Sequence, residues 1–278
     1  QDRRHRARGS QGRLPVSPAR ADARASRRGA GCESRVKQAW LRFYAELNEF
    51  LPPEKRYRAF PVQFYVPPAL RDLIESQGVP HSEVDLVLVD GESAALDHIV
   101  GDGAWVSVYP VFESLDIASV SRVRPEPLRH PRFVLDVHLG RLAAYLRMAG
   151  FDAVYSNSAG DDELAAAAAS QHRILLTRDV GLLKRAQVTH GYYVRETSPP
   201  AQLREVVRRF DLARLIKPFT RCMACNAELE PVPKEAVRGR VPDEVHARFD
   251  DFRACATCGR VYWKGSHYER MQKLIGSL

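Results

Sequence analysis

From residue 36 onward the chain alternates between two kinds of hydrophobic spacing, and each predicts a different element. Over 39–47, Leu41, Phe43 and Ala45 fall on one face and Arg42, Tyr44 and Glu46 on the other, the period-2 signal of a half-buried strand. Val62, Phe64 and Val66 repeat that signal until Pro67 and Pro68 stop it. Leu70, Leu73 and Ile74 then share one side of a short helix ending near Gly78. Residues 84–89 form an apolar strand closed by the turn pair Asp90-Gly91, and a last strand over 105–112 follows Asp102-Gly103. Two strands, a helix and two more strands predict a compact α+β unit over 36–115. Residues 116–131 read as a linker, with Pro125, Pro127 and Pro131 among polar positions.

Beyond the linker the pattern becomes one of short apolar strands and amphipathic helices in turn. Strands are expected at 132–136, 151–155, 173–177 and 192–195. Leu139, Leu142, Ala143 and Leu146 lie at i, i+3, i+4 and i+7, so a helix follows the first strand, with Gly150 as its stop. A loop over 156–160 leads to an alanine-rich helix starting near Asp161. Ser198 with Pro199 marks the start of another, which buries Leu203, Val206, Val207 and Phe210. Such alternation predicts an α/β fold with a parallel, three-layer sheet over 132–218.

Cysteine spacing changes the picture over 219–278. Cys222 and Cys225 form one Cys-x-x-Cys pair, Cys255 and Cys258 another, with 29 residues between the pairs. Two such knuckles predict one tetrahedral zinc ion. Because protein supplies all four ligands, that zinc is expected to be structural, with no place for His267 as a ligand. The long gap implies an inserted loop over 228–252. Tyr262, Trp263 and Lys264 follow the last knuckle, and such aromatics either stack on RNA or cover the zinc site. Paired thiols without an export signal point to a reducing compartment, hence a cytoplasmic protein. No run of 18 apolar residues occurs, so no membrane span is expected.

Charge adds less than its total suggests. The net charge is +8, but residues 1–30 carry nine Arg, two Asp, no Lys and no Glu, or +7, which leaves +1 for 31–278. Residues 1–35 read as a disordered basic tail: a nucleic-acid arm, a transit peptide or, the favoured reading, translated upstream sequence.

The acids carry the chemistry. Asp136 ends the first strand of the α/β unit, Asp179 follows the third, and Asp161 and Asp162 open the intervening helix. Taken singly, each serves as a helix cap or complements a helix dipole. Taken together they gather at the carboxyl edge of a parallel sheet, where ligands bind. Converging carboxylates need a cation, and hard oxygen ligands suit Mg²⁺ or Mn²⁺.

The runs Phe133-Val134-Leu135-Asp136, Leu139-Gly140-Arg141-Leu142-Ala143, Asp161-Asp162-Glu163-Leu164 and Leu175-Leu176-Thr177-Arg178-Asp179, with the four cysteines and Gly265-Ser266-His267, resemble the Mut-7 C-terminal RNase family. The resemblance covers 131–278 and implies a PIN-like nuclease fused to a zinc ribbon. It also implies that Asp136, Asp161 and Asp179 bind the catalytic metal, with Asp162 as the alternative if the register slips. The unit in front resembles a ubiquitin-like β-grasp domain of the small sulfur-carrier type, with a possible protein partner. Ala144-Tyr145 stands where the family often has Arg-Trp, and a fourth acid is unplaced among Asp152, Glu163 and Glu196. Arg141, Arg147, Arg178, Lys184, Trp263 and Lys264 are candidate RNA contacts. The expected function is a divalent-metal-dependent ribonuclease; the alternative is an inactive PIN-like module that binds RNA or protein. A sulfur carrier is disfavoured, because Glu113-Ser114-Leu115 stands where a terminal Gly-Gly would be needed.

Overall fold

The computed structural model describes residues 35–110, 121–123 and 131–276. The expected basic tail and most of the expected linker therefore lie outside the described residues.

The first sheet contains β1 (Lys37–Phe43), β2 (Phe60–Phe64), β3 (Val84–Val89), β4 (Glu92–Ser93) and β5 (Trp105–Pro110), with α1 (Leu70–Ser76) between β2 and β3. Its order is β2-β1-β5-β3-β4, and the central pair β1 and β5 run parallel. Leu70, Leu73 and Ile74 of α1 pack on the face carrying Leu41, Phe43, Val87, Val106 and Val108. Each buried aliphatic side chain contributes about 1.5–3 kcal/mol of transfer free energy. Asp90 at φ 53° and Gly91 at φ 90° give β3–β4 a left-handed hairpin turn. One expectation is corrected: β1 stops at Phe43. Ala45 adopts φ 46° and a 3₁₀ turn, Ala45–Phe50, follows. Asn48 fixes the turn by donating to the Phe43 and Ala45 carbonyls at 3.0 and 2.9 Å.

The second sheet is the expected parallel one: β6 (Phe133–Leu135), β7 (Ala153–Tyr155), β8 (Ile174–Thr177) and β9 (Gly191–Tyr193), in the order β7-β6-β8-β9. Alternation in β6 splits its residues between two cores. Phe133 and Leu135 meet α2 (Gly140–Met148) and α5 (Pro199–Arg209) through Leu142, Leu146, Leu203 and Val206. Val134 and Leu175 face α3 (Asp161–Ser170) and α4 (Val180–Leu183) through Leu164 and Leu182. The result is the expected three-layer α/β arrangement.

A third, antiparallel sheet joins β10 (Leu229–Val232), β11 (Phe252–Cys255) and β12 (Val261–Trp263). The expected inserted loop over 228–252 is mostly structured. It supplies β10, a 3₁₀ turn and α6 (Asp243–Arg248), which enclose a small core of Val237, Val241 and Phe252. Its prolines and charges mask that core in the sequence. A final helix, α7 (Ser266–Ile275), was not signalled by spacing.

Candidate metal centre and acidic edge

The two cysteine knuckles are built alike. In each, the residue after the second cysteine is left-handed, Asn226 at φ 71° and Gly259 at φ 72°. Its amide donates to the carbonyl of the first cysteine at 2.9 Å in both cases. The Sγ atoms of Cys222 and Cys258 are 3.5 Å apart and those of Cys225 and Cys255 3.3 Å, with all four within 4.8 Å of one another. Zinc–sulfur bonds of about 2.3 Å give tetrahedral edges of about 3.8 Å, so the donor set fits such an ion. The Tyr262 hydroxyl hydrogen-bonds Cys222 Sγ at 3.1 Å. Burial raises the Cys222 thiol, but Tyr262 and the Cys225 and Ala224 amides outweigh it and bring it down to about 6. The Ala227 amide lowers the Cys225 thiol, but burial and the neighbouring thiols push it up to about 12. Four crowded thiols cannot all ionise unless a cation joins them.

The cysteine cluster is locked to the parallel sheet by residues not expected to do so. Arg147 of α2 is buried and donates to the Ala153 carbonyl at 2.8 Å and, inside the first knuckle, to the Met223 and Ala224 carbonyls at 3.1 and 2.9 Å. Asp152 takes both guanidinium nitrogens of Arg173 at 2.7 and 3.1 Å and the Asn226 amide at 2.7 Å. Burial raises the Asp152 carboxyl, but the bonds from Arg173 and Asn226 outweigh it and hold it below its ordinary value. Asp152 is thereby a joint at the amino end of β7, away from the carboxyl edge.

At the carboxyl edge, Thr177 links the two strand-end acids. Its hydroxyl donates to Asp136 Oδ2 at 2.6 Å and accepts from the Asp179 amide at 2.9 Å. Asp179 also caps α4, with Oδ1 accepting from Gly181 and Leu182 at 2.6 and 3.4 Å. Asp136 makes no side-chain cap. Each of these two carboxylates keeps one oxygen outside these bonds. Asp161 and Asp162 stand at the start of α3, and Arg185 bridges them, 3.2 Å from Asp161 Oδ2. Among the described residues, only the four cysteines form a group of three or more ligands within mutual metal-binding distance. The acids thus share an edge without closing on a point. Glu163 accepts from the Gly160 amide at the head of α3. Tyr155 lies against Gly140, where a Cβ would sit 2.6 Å from its hydroxyl, and bonds the Val137 carbonyl at 3.0 Å.

The expected RNA contacts separate. Arg147 has spent its guanidinium on the knuckle, so it is not presented to phosphate. Arg178 donates to the Val194, Arg195 and Glu196 carbonyls at 2.7–2.8 Å. Lys184 donates to the Glu75 carbonyl on α1 at 2.8 Å, and Lys264 pairs with Asp251 at 2.6 Å. Arg141 is exposed, and Trp263 is partly buried beside Gly265. Thr177, Arg173, Arg185 and Asn226 were not singled out in the sequence. Only Thr177 and Asn226 had a signal, inside the Leu-Leu-Thr-Arg-Asp run and directly after Cys225.

The family model described as Mut7-C RNAse domain matches residues 131–275, and that described as Mut7-C ubiquitin matches residues 36–116. No curated protein and no solved structure matches the chain. Among the described residues, no helix is long and apolar enough to cross a membrane.

Proposed function

The chain belongs to the Mut7-C RNAse family, and from that premise we propose that it is a divalent-metal-dependent ribonuclease with a structural zinc ion in its ribbon. The observation that carries this reading is the Asp136–Thr177–Asp179 chain of hydrogen bonds at the carboxyl edge of a parallel sheet. Asp136 and Asp179 would hold Mg²⁺ or Mn²⁺, and Asp161, or Asp162 in its place, would complete the set on leaving Arg185. Such an ion polarises a phosphate oxygen and lowers the pKa of bound water. Thr177 orients Asp136. Zinc fits Cys222, Cys225, Cys255 and Cys258 by donor chemistry. RNA is the substrate class, and the ubiquitin-like domain leaves room for a protein partner.

The test is cleavage of RNA and DNA oligonucleotides by Asp179→Asn in Mg²⁺ and Mn²⁺, with a melting curve taken without added metal. Asn caps α4 about as well as Asp, so folding should hold while cleavage falls by orders of magnitude. Retained cleavage would refute the role of Asp179. The pairing of Arg185 with Asp161 and Asp162 favours a second reading, an inactive RNA-binding module. RNA retention by the unaltered protein with no cleavage in either metal would establish that reading instead.

A further inference from the structure

We propose that the cavity between α2, the metal ribbon and α7 is a nucleobase pocket for single-stranded RNA, an inference that rests on the ribonuclease reading. The cavity measures about 520 Å³, within the ~300–1,000 Å³ span of small-ligand sites. Met148 of α2, Tyr262 and Trp263 of β12, and Tyr268 and Met271 of α7 supply aromatic and thioether walls. None of its lining residues is acidic, and two are arginines, Arg221 and Arg260.

Those cations decide between occupants. An apolar protein segment would need the walls but not the guanidinium groups. A nucleotide uses both, its base on the aromatic faces and its phosphate on a cation. Arg221 is partly engaged, donating to the Asn226 carbonyl at 2.8 Å and lying 3.6 Å from Glu228. Arg260 is exposed, and no carboxylate pairs with it among the described residues. The Trp263 indole comes close to the backbone because residue 265 is glycine; a Cβ there would meet Nε1 at 2.8 Å. Its N–H has no partner among the described residues and remains a donor for a base or phosphate oxygen. Tyr262 serves twice, its hydroxyl on Cys222 and its ring on the cavity wall. A zinc ion held by Cys222 would thereby steady the ring on which a base would stack. The pocket lies on the ribbon side of α2, apart from Asp136 and Asp179, and would hold a strand while another part of it reaches the acids.

The experiment uses the full-length, zinc-loaded protein with Mg²⁺ and Mn²⁺ omitted. Fluorescence anisotropy reads binding of a labelled single-stranded RNA and of a duplex of equal length. Ala144→Phe projects a ring into the cavity from α2, and Arg260→Ala removes the exposed cation without touching the core. Ala144→Phe should weaken single-strand binding by about 5- to 160-fold, the range of one lost base–aromatic stack, and leave duplex binding unchanged. Arg260→Ala should weaken it less and flatten its dependence on salt by about one phosphate contact. Zinc content and melting temperature report whether Ala144→Phe folds; if it does not, Arg260→Ala decides alone. Binding by the unaltered protein and cleavage once Mn²⁺ is restored, with wild-type affinity in the folded variants, would overturn the pocket and leave the ribonuclease reading intact. An unaltered protein that binds no RNA here would overturn the pocket, and one that also cleaves none once Mn²⁺ is restored would overturn both.

Discussion

Replacing Arg147 with Met should loosen the joint between the metal ribbon and the sheet, and the size of the effect follows from its contacts. Met conserves most of the volume, so the change is chiefly polar. Three carbonyls, those of Ala153, Met223 and Ala224, lose a cationic donor. Hydrogen bonds to charged groups contribute about 1.5–3 kcal/mol each, and a buried acceptor left bare costs about 1–3 kcal/mol. Only the bond to Ala153 is fully buried, so water can re-engage the other two carbonyls. A loss of about 3–4 kcal/mol is therefore expected, or roughly 6–16 °C in melting temperature for a unit of this size. Zinc should also leave faster, because Met223 and Ala224 lie between the first two thiols. Lys should rescue little, since an ammonium cannot span three carbonyls as the planar fork does. Scanning calorimetry and zinc release to a chromogenic chelator measure both effects. If Arg147 instead served RNA, its loss would leave melting and zinc release unchanged and weaken binding in a salt-dependent way. That result would refute the clamp.

Two further outcomes follow from the same region. Asp152→Asn should cost about 3 kcal/mol near neutral pH, because Arg173 loses its charged partner. The Asp152 carboxyl is held below its ordinary value of 3.8, so its contribution is fully present above about pH 4. Acid melts should then show the gap between variant and wild type closing as pH falls through the lowered value; a gap unchanged at pH 2 would contradict this. Cys255→Ser should abolish the one zinc per chain and expose 221–262 to proteolysis, since the metal supplies much of the folding energy of such a ribbon. Full zinc content in that variant would exclude these thiols as the ligands.

Much of the fold could be read because burial writes itself into spacing. Phe133, Val134 and Leu135 are apolar in succession because both faces of β6 are covered, and the cysteine pairs announced themselves by their interval. At Ala45 the spacing misleads for the opposite reason. Leu47 is buried in a 3₁₀ turn, yet it happens to continue the period of the strand before it. The cations resisted reading for another. Arg147, Arg178 and Lys184 all bond main-chain carbonyls, and since every residue carries one, no sequence pattern separates a clamp from a solvated charge. At Asp179 the sequence does not separate a cap from an edge acid; its cap is present, and its remaining oxygen keeps the second role available.

The ubiquitin-like unit has a physical reason to be where it is. β9 is the outermost strand of the parallel sheet, and an open edge offers unpaired amides to any passing strand. Here the segment His81–Glu83 lies against that edge. The Glu83 carboxylate accepts from the Tyr193 amide, and the Ser82 hydroxyl donates to the Leu183 carbonyl at 2.9 Å. The approach needs a glycine, because a Cβ on Gly191 would lie 2.9 Å from Ser82 Oγ and 2.5 Å from Leu183 Cδ2. Arg195 closes the contact, bonding Glu83 and Glu49 while its guanidinium lies over Phe50 and Tyr193. Burial pushes the Glu83 carboxyl above its ordinary range, against the pull of Arg195 and the Tyr193 amide. Such a buried pair adds little net stability, but a displaced one strands a charge in the interior. It therefore rejects other placements of the two units more than it strengthens this one. Arg209 with Glu46 at 2.6 Å and Lys184 with the Glu75 carbonyl repeat that constraint at either side. A domain held this way is part of the nuclease-like sheet's own architecture, and a protein partner of the ubiquitin-like unit would have to bind a face other than the one closed on β9.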